Sequence, residues 1–225
     1  MDSLFTLKGK TALVTGSRHG LGYTIARGLA RAGALTILNG RNQETLEDAV
    51  SALKDEQLDV RGYSFNITDK EHMTAQISNI EKDIGPIDIL VNNAGIQRRG
   101  PLESVDEATW REVLETNLTG IYLITQRIVQ GMIERKKGKI INICSLMSEV
   151  TRPTVGPYTA AKGGVKMLTK SMALEWAKHN IQVNGIGPGY FATEMNKPLV
   201  EDEKFNSWII SRTPAGRWGD PDPGT

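Results

Sequence analysis

The sequence predicts an α/β fold with one doubly wound parallel sheet and helices on both of its faces. Short runs of Val, Ile and Leu are apolar on both sides, as expected for the strands of a parallel sheet that is covered twice. They alternate along the chain with longer segments whose apolar residues recur at helical spacing. Right-handed crossovers between such strands give the Rossmann-type order 3-2-1-4-5-6, with a ligand at the carboxyl ends of the strands.

Six strands and five helices are predicted along the chain. The strands are Thr11–Val14, Leu35–Leu38, Val60–Phe65, Ile87–Val91, Lys139–Ile143 and Ile181–Ile186. The helices are Leu21–Ala32, Glu44–Glu56, Lys70–Ile84, Glu107–Arg135 and Tyr158–Lys178. The 225 residues suffice for one well-buried unit, so we predict a single domain over residues 1–225, in which residues 190–216 cover the substrate.

Composition and charge narrow the class of protein. The formal net charge is +1, which gives no general attraction to nucleic acid or to an anionic membrane. The first residues contain no apolar run of signal-peptide length, and no stretch approaches a membrane span. Together with a single cysteine, Cys144, these features predict a cytoplasmic protein. The three histidines have no ligand spacing, so no metal site is predicted.

A glycine-rich turn follows the first strand. Residues Thr15–Gly22 have the spacing Gly-x-x-x-Gly-x-Gly, which permits a tight turn and lets backbone N–H groups approach a pyrophosphate. A purely structural strand-to-helix turn is the alternative. The second strand ends in Leu38–Asn42 without the carboxylate that would hold the ribose of NAD. Arg18 and Arg41 suit a 2′-phosphate, so NADP is predicted over NAD, unless both arginines merely face solvent.

Tyr158 and Lys162 are the candidate proton-transfer residues. Four residues apart on a helix, they share one face. A nearby ammonium group is expected to lower the pKa of the phenol, which would then exchange a proton with an alcohol or carbonyl oxygen while a hydride moves at the carbon. Ser145 follows the fifth strand and offers a hydroxyl to the same oxygen. Tyr-x-x-x-Lys alone is common on surface helices, so the prediction rests on the combination with the glycine turn.

From Leu7 to Asp220 the sequence resembles the short-chain dehydrogenase/reductase family. The resemblance implies that Tyr158 is the acid/base, that Lys162 also binds the nicotinamide ribose, that Ser145 orients the substrate oxygen and that Asn117 holds a water in a proton relay. It implies cofactor contacts from two strand-end segments and the glycine turn. The predicted cofactor-binding residues are Gly16, Ser17, Arg18, Gly20, Leu21, Gly22, Arg41, Asn93, Ala94, Gly95, Tyr158, Lys162, Pro188 and Gly189.

A narrower resemblance concerns the substrate. Segments 83–99, 181–195 and 199–203 look like those of the gluconate 5-dehydrogenases within this family, which implies reversible reduction of 5-dehydro-D-gluconate to D-gluconate. The substrate carboxylate needs a cation, and Arg98, Arg99 and Arg152 are the candidates. The alternatives are reduction of another ketone, such as a 3-oxoacyl thioester, a sugar or a polyol, and a non-catalytic protein that senses NADP.

The end of the sequence departs from the family pattern. Family members continue past Arg217–Asp220 with a further helix and a seventh strand, which this sequence lacks. We therefore expect a truncated form in which strand six, Ile181–Ile186, is an apolar sheet edge prone to pairing with other chains. Such a form should be less stable and less active, while a form with the missing elements is expected to be a homo-oligomer, either a dimer or a tetramer.

Overall fold

A computed structural model of the chain describes residues 5–222 and contains one sheet of six parallel strands. Residues 1–4 and 223–225, which belong to the predictions about the first residues and about the ending, lie outside the described part. The strands are β1 (Thr11–Val14), β2 (Leu35–Gly40), β3 (Val60–Ser64), β4 (Ile89–Asn92), β5 (Gly138–Ile143) and β6 (Ile181–Ile186). Their order, β3-β2-β1-β4-β5-β6, confirms the predicted topology.

Eight α-helices accompany the described strands. They are α1 (Gly20–Arg31), α2 (Gln43–Asp55), α3 (Lys70–Asp83), α4 (Glu107–Leu114), α5 (Gly120–Arg135), α6 (Gly156–Trp176), α7 (Lys197–Val200) and α8 (Glu203–Arg212). Several begin at a side chain that accepts the first free backbone N–H groups, as Asn42 does for α2 and Asp69 for α3. The predicted helix Glu107–Arg135 is interrupted by a π-helical segment, Glu115–Thr119, between α4 and α5.

The core consists of two apolar layers, one on each face of the sheet. Leu13 and Ile37 face one layer, which α3 and α5 complete. Ala12, Val14 and Leu38 point the opposite way, toward α1 and α2. This alternation follows from the two-residue period of a strand, and it explains why successive apolar residues of β1 and β2 reach opposite layers.

The strand register aligns the carboxyl ends of the central strands. Val14 of β1 pairs with Leu38 of β2 and with Val91 of β4, and Asn92 of β4 pairs with Asn142 of β5. The turns that follow these strands therefore meet at one edge, as the crossover argument predicts.

The last strand and the residues after it border this edge. In the described sheet β6 is an edge strand, with Ile181 buried and Ile186 half exposed. Between 190 and 222 the chain forms α7, α8 and a short bridge between Phe191 and Gly219. Over residues 5–222, no helix has the length and apolar character needed to cross a bilayer.

Candidate active site

A cleft opens along the carboxyl edge of the sheet, between the strand-end turns and the segment after β6. Its lining includes four arginines and one lysine, Arg18, Arg41, Arg99, Arg152 and Lys162, and no Asp or Glu among the described residues. Because nothing in the lining neutralises these cations, the cleft is suited to an anionic ligand with more than one charged group. In the same range, residues 5–222, no cluster of metal-binding side chains is found.

The glycine turn forms the floor of one end of the cleft. Gly16 and Gly20 adopt positive φ angles of 61° and 59°, which glycine alone adopts without strain. A Cβ on Gly22 would lie 2.3 Å from Asn93 Nδ2 and 2.5 Å from Gly16 O. His19, the N-cap of α1, makes no side-chain capping bond, so the first N–H groups of this helix remain available to an anion.

Thr15, which the sequence analysis did not single out, joins this turn to the end of β4. Its hydroxyl accepts hydrogen bonds from the Asn93 and Ala94 N–H groups, both at 3.0 Å. The Asn93 amide donates in return to Thr15 O at 3.0 Å and to Gly16 O at 2.9 Å. The position of Thr15, directly after a strand and beside a glycine turn, is the signal that could have identified it.

Ser17 lies in the turn but not in the cleft lining. Its buried hydroxyl donates to Val14 O at 2.7 Å and accepts the Asn39 N–H at 3.0 Å. These bonds connect the turn to β2. Because the Ser17 hydroxyl is buried and does not line the cleft, it is not placed to contact a ligand there. The other predicted residues of the turn, Gly16, Arg18, Gly20, Leu21 and Gly22, all line the cleft.

Arg18 and Arg41 meet at the end of β2, as the sequence predicts. Both line the cleft, and a Cβ on Gly40 would lie 3.6 Å from Arg18 Cδ. The neighbouring Asn39 is committed to structure, because its Nδ2 donates to Tyr63 O and Phe65 O at 3.2 and 3.1 Å. Because Gly40 has no side chain, the aliphatic part of Arg18 can lie beside it.

Ser145, Tyr158 and Lys162 come together in the cleft beyond β5. Helix α6 carries Tyr158 and Lys162, and the Lys162 Nζ lies 5.7 Å from the centroid of the Tyr158 ring. The ammonium donates to Ile143 O at 2.5 Å, which fixes it at the end of β5. Ser145 begins a short 3₁₀ helix and accepts the Met147 N–H at 3.1 Å. Asn93, Ala94, Gly95, Pro188 and Gly189 line the same cleft.

The electrostatics of this group differ from the expectation for Tyr158. Burial raises the pKa of Tyr158 above 10.0, while the hydrogen bond with Ser145 and the charge of Arg99 lower it by less. The expected lowering by Lys162 is therefore wrong, because desolvation of the phenolate dominates. Burial also lowers the pKa of Lys162 from 10.5 to about 8, since an ammonium is poorly stabilised away from water.

Asn117 occupies the π-helical segment between α4 and α5. The side chain is fully buried. Its Oδ1 accepts the Ile96 N–H at 2.8 Å and its Nδ2 donates to Ile96 O at 2.8 Å. Asn117 does not line the cleft directly. It fixes the backbone immediately after Gly95, which does, and a π-bulge at such a position is frequent in functional sites.

The three candidate arginines for a carboxylate separate into two groups. Arg98 pairs with Glu112 of α4 through two bonds of 2.9 and 2.7 Å and is not part of the cleft lining. Arg99 and Arg152 line the cleft, and neither forms an ion pair with a described carboxylate. Burial and the charge of Arg152 lower the pKa of Arg99. The two guanidinium groups therefore repel each other electrostatically.

The cleft also contains residues that the sequence analysis did not predict. Gln97 lines it, and the buried Gln97 Oε1 has no hydrogen-bond partner among the described residues. The segment after β6 closes the other side. Its lining residues are Tyr190, Phe191, Thr193, Met195 and Asn196. They lie within the predicted covering segment, but no residue-specific pattern marked them.

Comparisons with known proteins agree with this geometry. A family model described as short chain dehydrogenase matches residues 10–204. The chain is 53% identical over 221 residues to a 5-keto-D-gluconate 5-reductase of Escherichia coli (strain K12), covering 98% of this chain and 87% of that protein. It is 51% identical to a gluconate 5-dehydrogenase of Gluconobacter oxydans (strain 621H), covering 96% of this chain and 84% of that protein.

A solved structure is similarly close. It is a gluconate 5-dehydrogenase from Burkholderia cenocepacia J2315 in complex with NADP and tartrate. The TM-score is 0.94 at 48% identity, and the match covers 97% of this chain and 86% of that chain.

Proposed function

Because the chain belongs to the short-chain dehydrogenase family, we propose that it is an NADP-dependent oxidoreductase that interconverts 5-dehydro-D-gluconate and D-gluconate. The observation that carries this proposal is the cleft itself. It combines the Ser145, Tyr158 and Lys162 group with arginines at both ends and no acidic residue among the described lining. The E. coli and G. oxydans relatives with these activities support the same substrate.

The residues of the cleft fit NADP. Glycine at position 22 lets the turn pack directly against Asn93, and the uncapped N-terminus of α1 supplies N–H groups for a pyrophosphate. Arg18 and Arg41 offer cations for a 2′-phosphate at the place where a carboxylate would favour NAD. The B. cenocepacia neighbour with bound NADP supports the same cofactor. When bound, the nicotinamide supplies or accepts the hydride.

The chain's own groups handle the proton and the substrate oxygen. The phenol of Tyr158, whose pKa is raised, is protonated at neutral pH and is the group that would donate a proton to a carbonyl oxygen that becomes an alcohol. Ser145 holds that oxygen. Lys162 orients the ribose of the cofactor, and Asn117 fixes the backbone after Gly95 and supports the proton relay. A sensor of NADP would need none of these proton-transfer groups.

Arg99 and Arg152 are the proposed partners of the substrate carboxylate, because both line the cleft with donors to spare. Arg98 was an equal candidate by sequence, but its guanidinium is committed to Glu112. A guanidinium fork binds a carboxylate bidentately, which favours a sugar acid over a neutral ketone.

The deciding experiment measures NADPH consumption at 340 nm with 5-dehydro-D-gluconate. L-sorbose is the matched control, because it has the same carbon chain and carbonyl position with a hydroxymethyl group in place of the carboxylate. We expect kcat/KM to be at least about 10-fold higher for the acid, the effect of one charge-assisted contact. Preference for L-sorbose or for a 3-oxoacyl thioester would assign the chain to another ketone, and binding of NADPH without turnover of any ketone would favour the sensor.

Three further features belong to this proposal. Residues 190–216 form the substrate-covering segment of a single domain, supported by the cleft-lining side chains between 190 and 196.

The protein works in the cytoplasm, where a single buried thiol such as Cys144 stays reduced. It associates with copies of itself, since exposed apolar side chains on neighbouring helices, Tyr122 of α5 and Met167 and Leu174 of α6, suit such a contact.

A further inference from the structure

Helix α8 places an aromatic ring against Arg152, one of the cleft arginines that form no ion pair with a described carboxylate. The Phe205 centroid lies 5.0 Å from Arg152 Cζ, a distance at which the ring quadrupole attracts a cation. Arg152 lines the cleft, whereas Phe205 is outside the lining. Phe205 therefore contacts the guanidinium without taking the place of a ligand.

An aromatic cluster holds the Phe205 ring in turn. The Tyr190 ring lies 5.9 Å from Phe205 and 5.6 Å from Trp218, each in an edge-to-face arrangement. Trp208 lies 5.4 Å from Phe205, and Trp218 Nε1 donates to Asn206 Oδ1 at 2.7 Å. Such pairs prefer these geometries, so the position of Phe205 is set by side chains from three separate parts of the chain.

The way Arg152 is held contrasts with the way Arg98 is held. Glu112 fixes Arg98 and neutralises its charge. The hydrogen-bond partner found for the Arg152 guanidinium is Pro153 O at 3.3 Å, and the Phe205 ring lies 5.0 Å from its Cζ. A ring orders a long side chain that would otherwise lose rotamer entropy on binding, and it leaves the charge and most N–H donors free.

We propose that Phe205 is a positioning residue, which orients Arg152 for the anionic end of the substrate. This inference rests on the proposed function, in which Arg152 binds a carboxylate. It links helix α8 to the choice of a sugar acid over a neutral sugar or polyol: when the ring is lost, affinity for the carboxylate falls and the proton-transfer group is left in place.

A double-mutant cycle tests the link. The dissociation constant of D-gluconate for the NADPH-loaded protein is measured by calorimetry in wild type, Phe205→Leu, Arg152→Met and the double variant. We expect Phe205→Leu to weaken binding about 3- to 10-fold, the range for a partly exposed cation–π contact. In the Arg152→Met background the same change should have almost no effect, because the contact is already absent.

Two controls separate positioning from a general loss of structure. Phe205→Tyr should retain wild-type affinity for D-gluconate, since it keeps an aromatic face toward Arg152. Ile210→Ala shortens an exposed side chain of the same helix that lies outside the cleft lining, and should leave D-gluconate affinity within about 2-fold of wild type. In the oxidation assay, Phe205→Leu should raise KM for D-gluconate and leave kcat nearly unchanged.

The outcomes distinguish this inference from the proposed function. An equal effect of Phe205→Leu in both backgrounds, or an equal loss in Ile210→Ala, would overturn the positioning role. Failure of the wild-type protein to bind D-gluconate would overturn it as well. If the wild-type protein binds D-gluconate with the expected cycle but does not oxidise it with NADP, the proposed reaction is wrong and the positioning of Arg152 stands.

Discussion

Replacing Gly22 with Ala adds a methyl group at the most crowded point of the glycine turn. Its carbon would lie 2.3 Å from Asn93 Nδ2 and 2.5 Å from Gly16 O, well inside van der Waals contact. The Asn93 amide must then move away from Thr15 O and Gly16 O, to which it now donates at 3.0 and 2.9 Å. The change therefore disturbs both the turn and its connection to β4.

The magnitude follows from these contacts. Two lost hydrogen bonds cost about 1 kcal/mol each, and overpacking adds about 1–3 kcal/mol. We expect Gly22→Ala to lower the free energy of unfolding by about 3–5 kcal/mol, the sum of these effects. Because the displaced groups form the floor of the cleft, NADPH affinity should also fall by at least about 10-fold.

Gly28 offers a matched control in the same helix. A Cβ there has no heavy atom within 4 Å among the described residues, so Gly28→Ala should raise the free energy of unfolding by about 0.5–1 kcal/mol through helix propensity. Urea unfolding and NADPH fluorescence titration of both variants provide the assay. If Gly22→Ala is as stable as Gly28→Ala and binds NADPH like wild type, the steric reasoning about the turn is refuted.

Four further changes test other parts of the cleft. Tyr158→Phe should retain NADPH affinity and lose at least about 10²-fold in kcat; near-normal turnover would exclude Tyr158 as the proton donor. Arg41→Ala should weaken NADPH by about 1.5–3 kcal/mol and leave NADH unchanged, as titrations of both will show. Arg99→Ala should raise KM for D-gluconate about 10-fold, whereas Arg98→Ala should not; the opposite ranking would place the carboxylate elsewhere. Burial lowers the pKa of Lys162 from 10.5 to about 8, so between these pH values the unfolded state binds more protons than the folded state. The free energy of unfolding of the protein without cofactor should therefore rise with pH in this window. Urea titrations at both ends of the window should show this rise for wild type and not for Lys162→Met.

The sequence predicts the sheet and its ligand edge because both depend on local patterns. Doubly buried strands must be apolar throughout, and all six predicted strands are found within two residues of their predicted ends. The glycine turn is equally local, since glycine adopts the positive φ angles found at Gly16 and Gly20 without strain. The i, i+4 spacing of Tyr158 and Lys162 places them on one face whatever the surroundings.

Contacts between distant segments could not be predicted in this way. Arg98 and Arg99 are neighbours in the sequence, yet Arg98 forms an ion pair with Glu112 of α4, whereas Arg99 lines the cleft. The π-helical segment around Asn117 lies between α4 and α5, where the sequence pattern predicts one continuous helix. Its cause is the pair of bonds to the Ile96 backbone, which only the assembled fold brings within reach.

The acidity of Tyr158 depends on the same assembly. Spacing places a lysine beside the phenol, but desolvation of both groups depends on how closely β5, α6 and the segment after β6 enclose them. Burial raises the pKa of the Tyr158 phenol and lowers the pKa of the Lys162 ammonium, and the phenol is protonated at neutral pH. Oxidation of D-gluconate releases a proton, so each unit of rising pH shifts its equilibrium about 10-fold toward the ketone. The stoichiometric proton therefore makes reduction of 5-dehydro-D-gluconate more favourable near neutrality, and oxidation of D-gluconate more favourable as the pH rises.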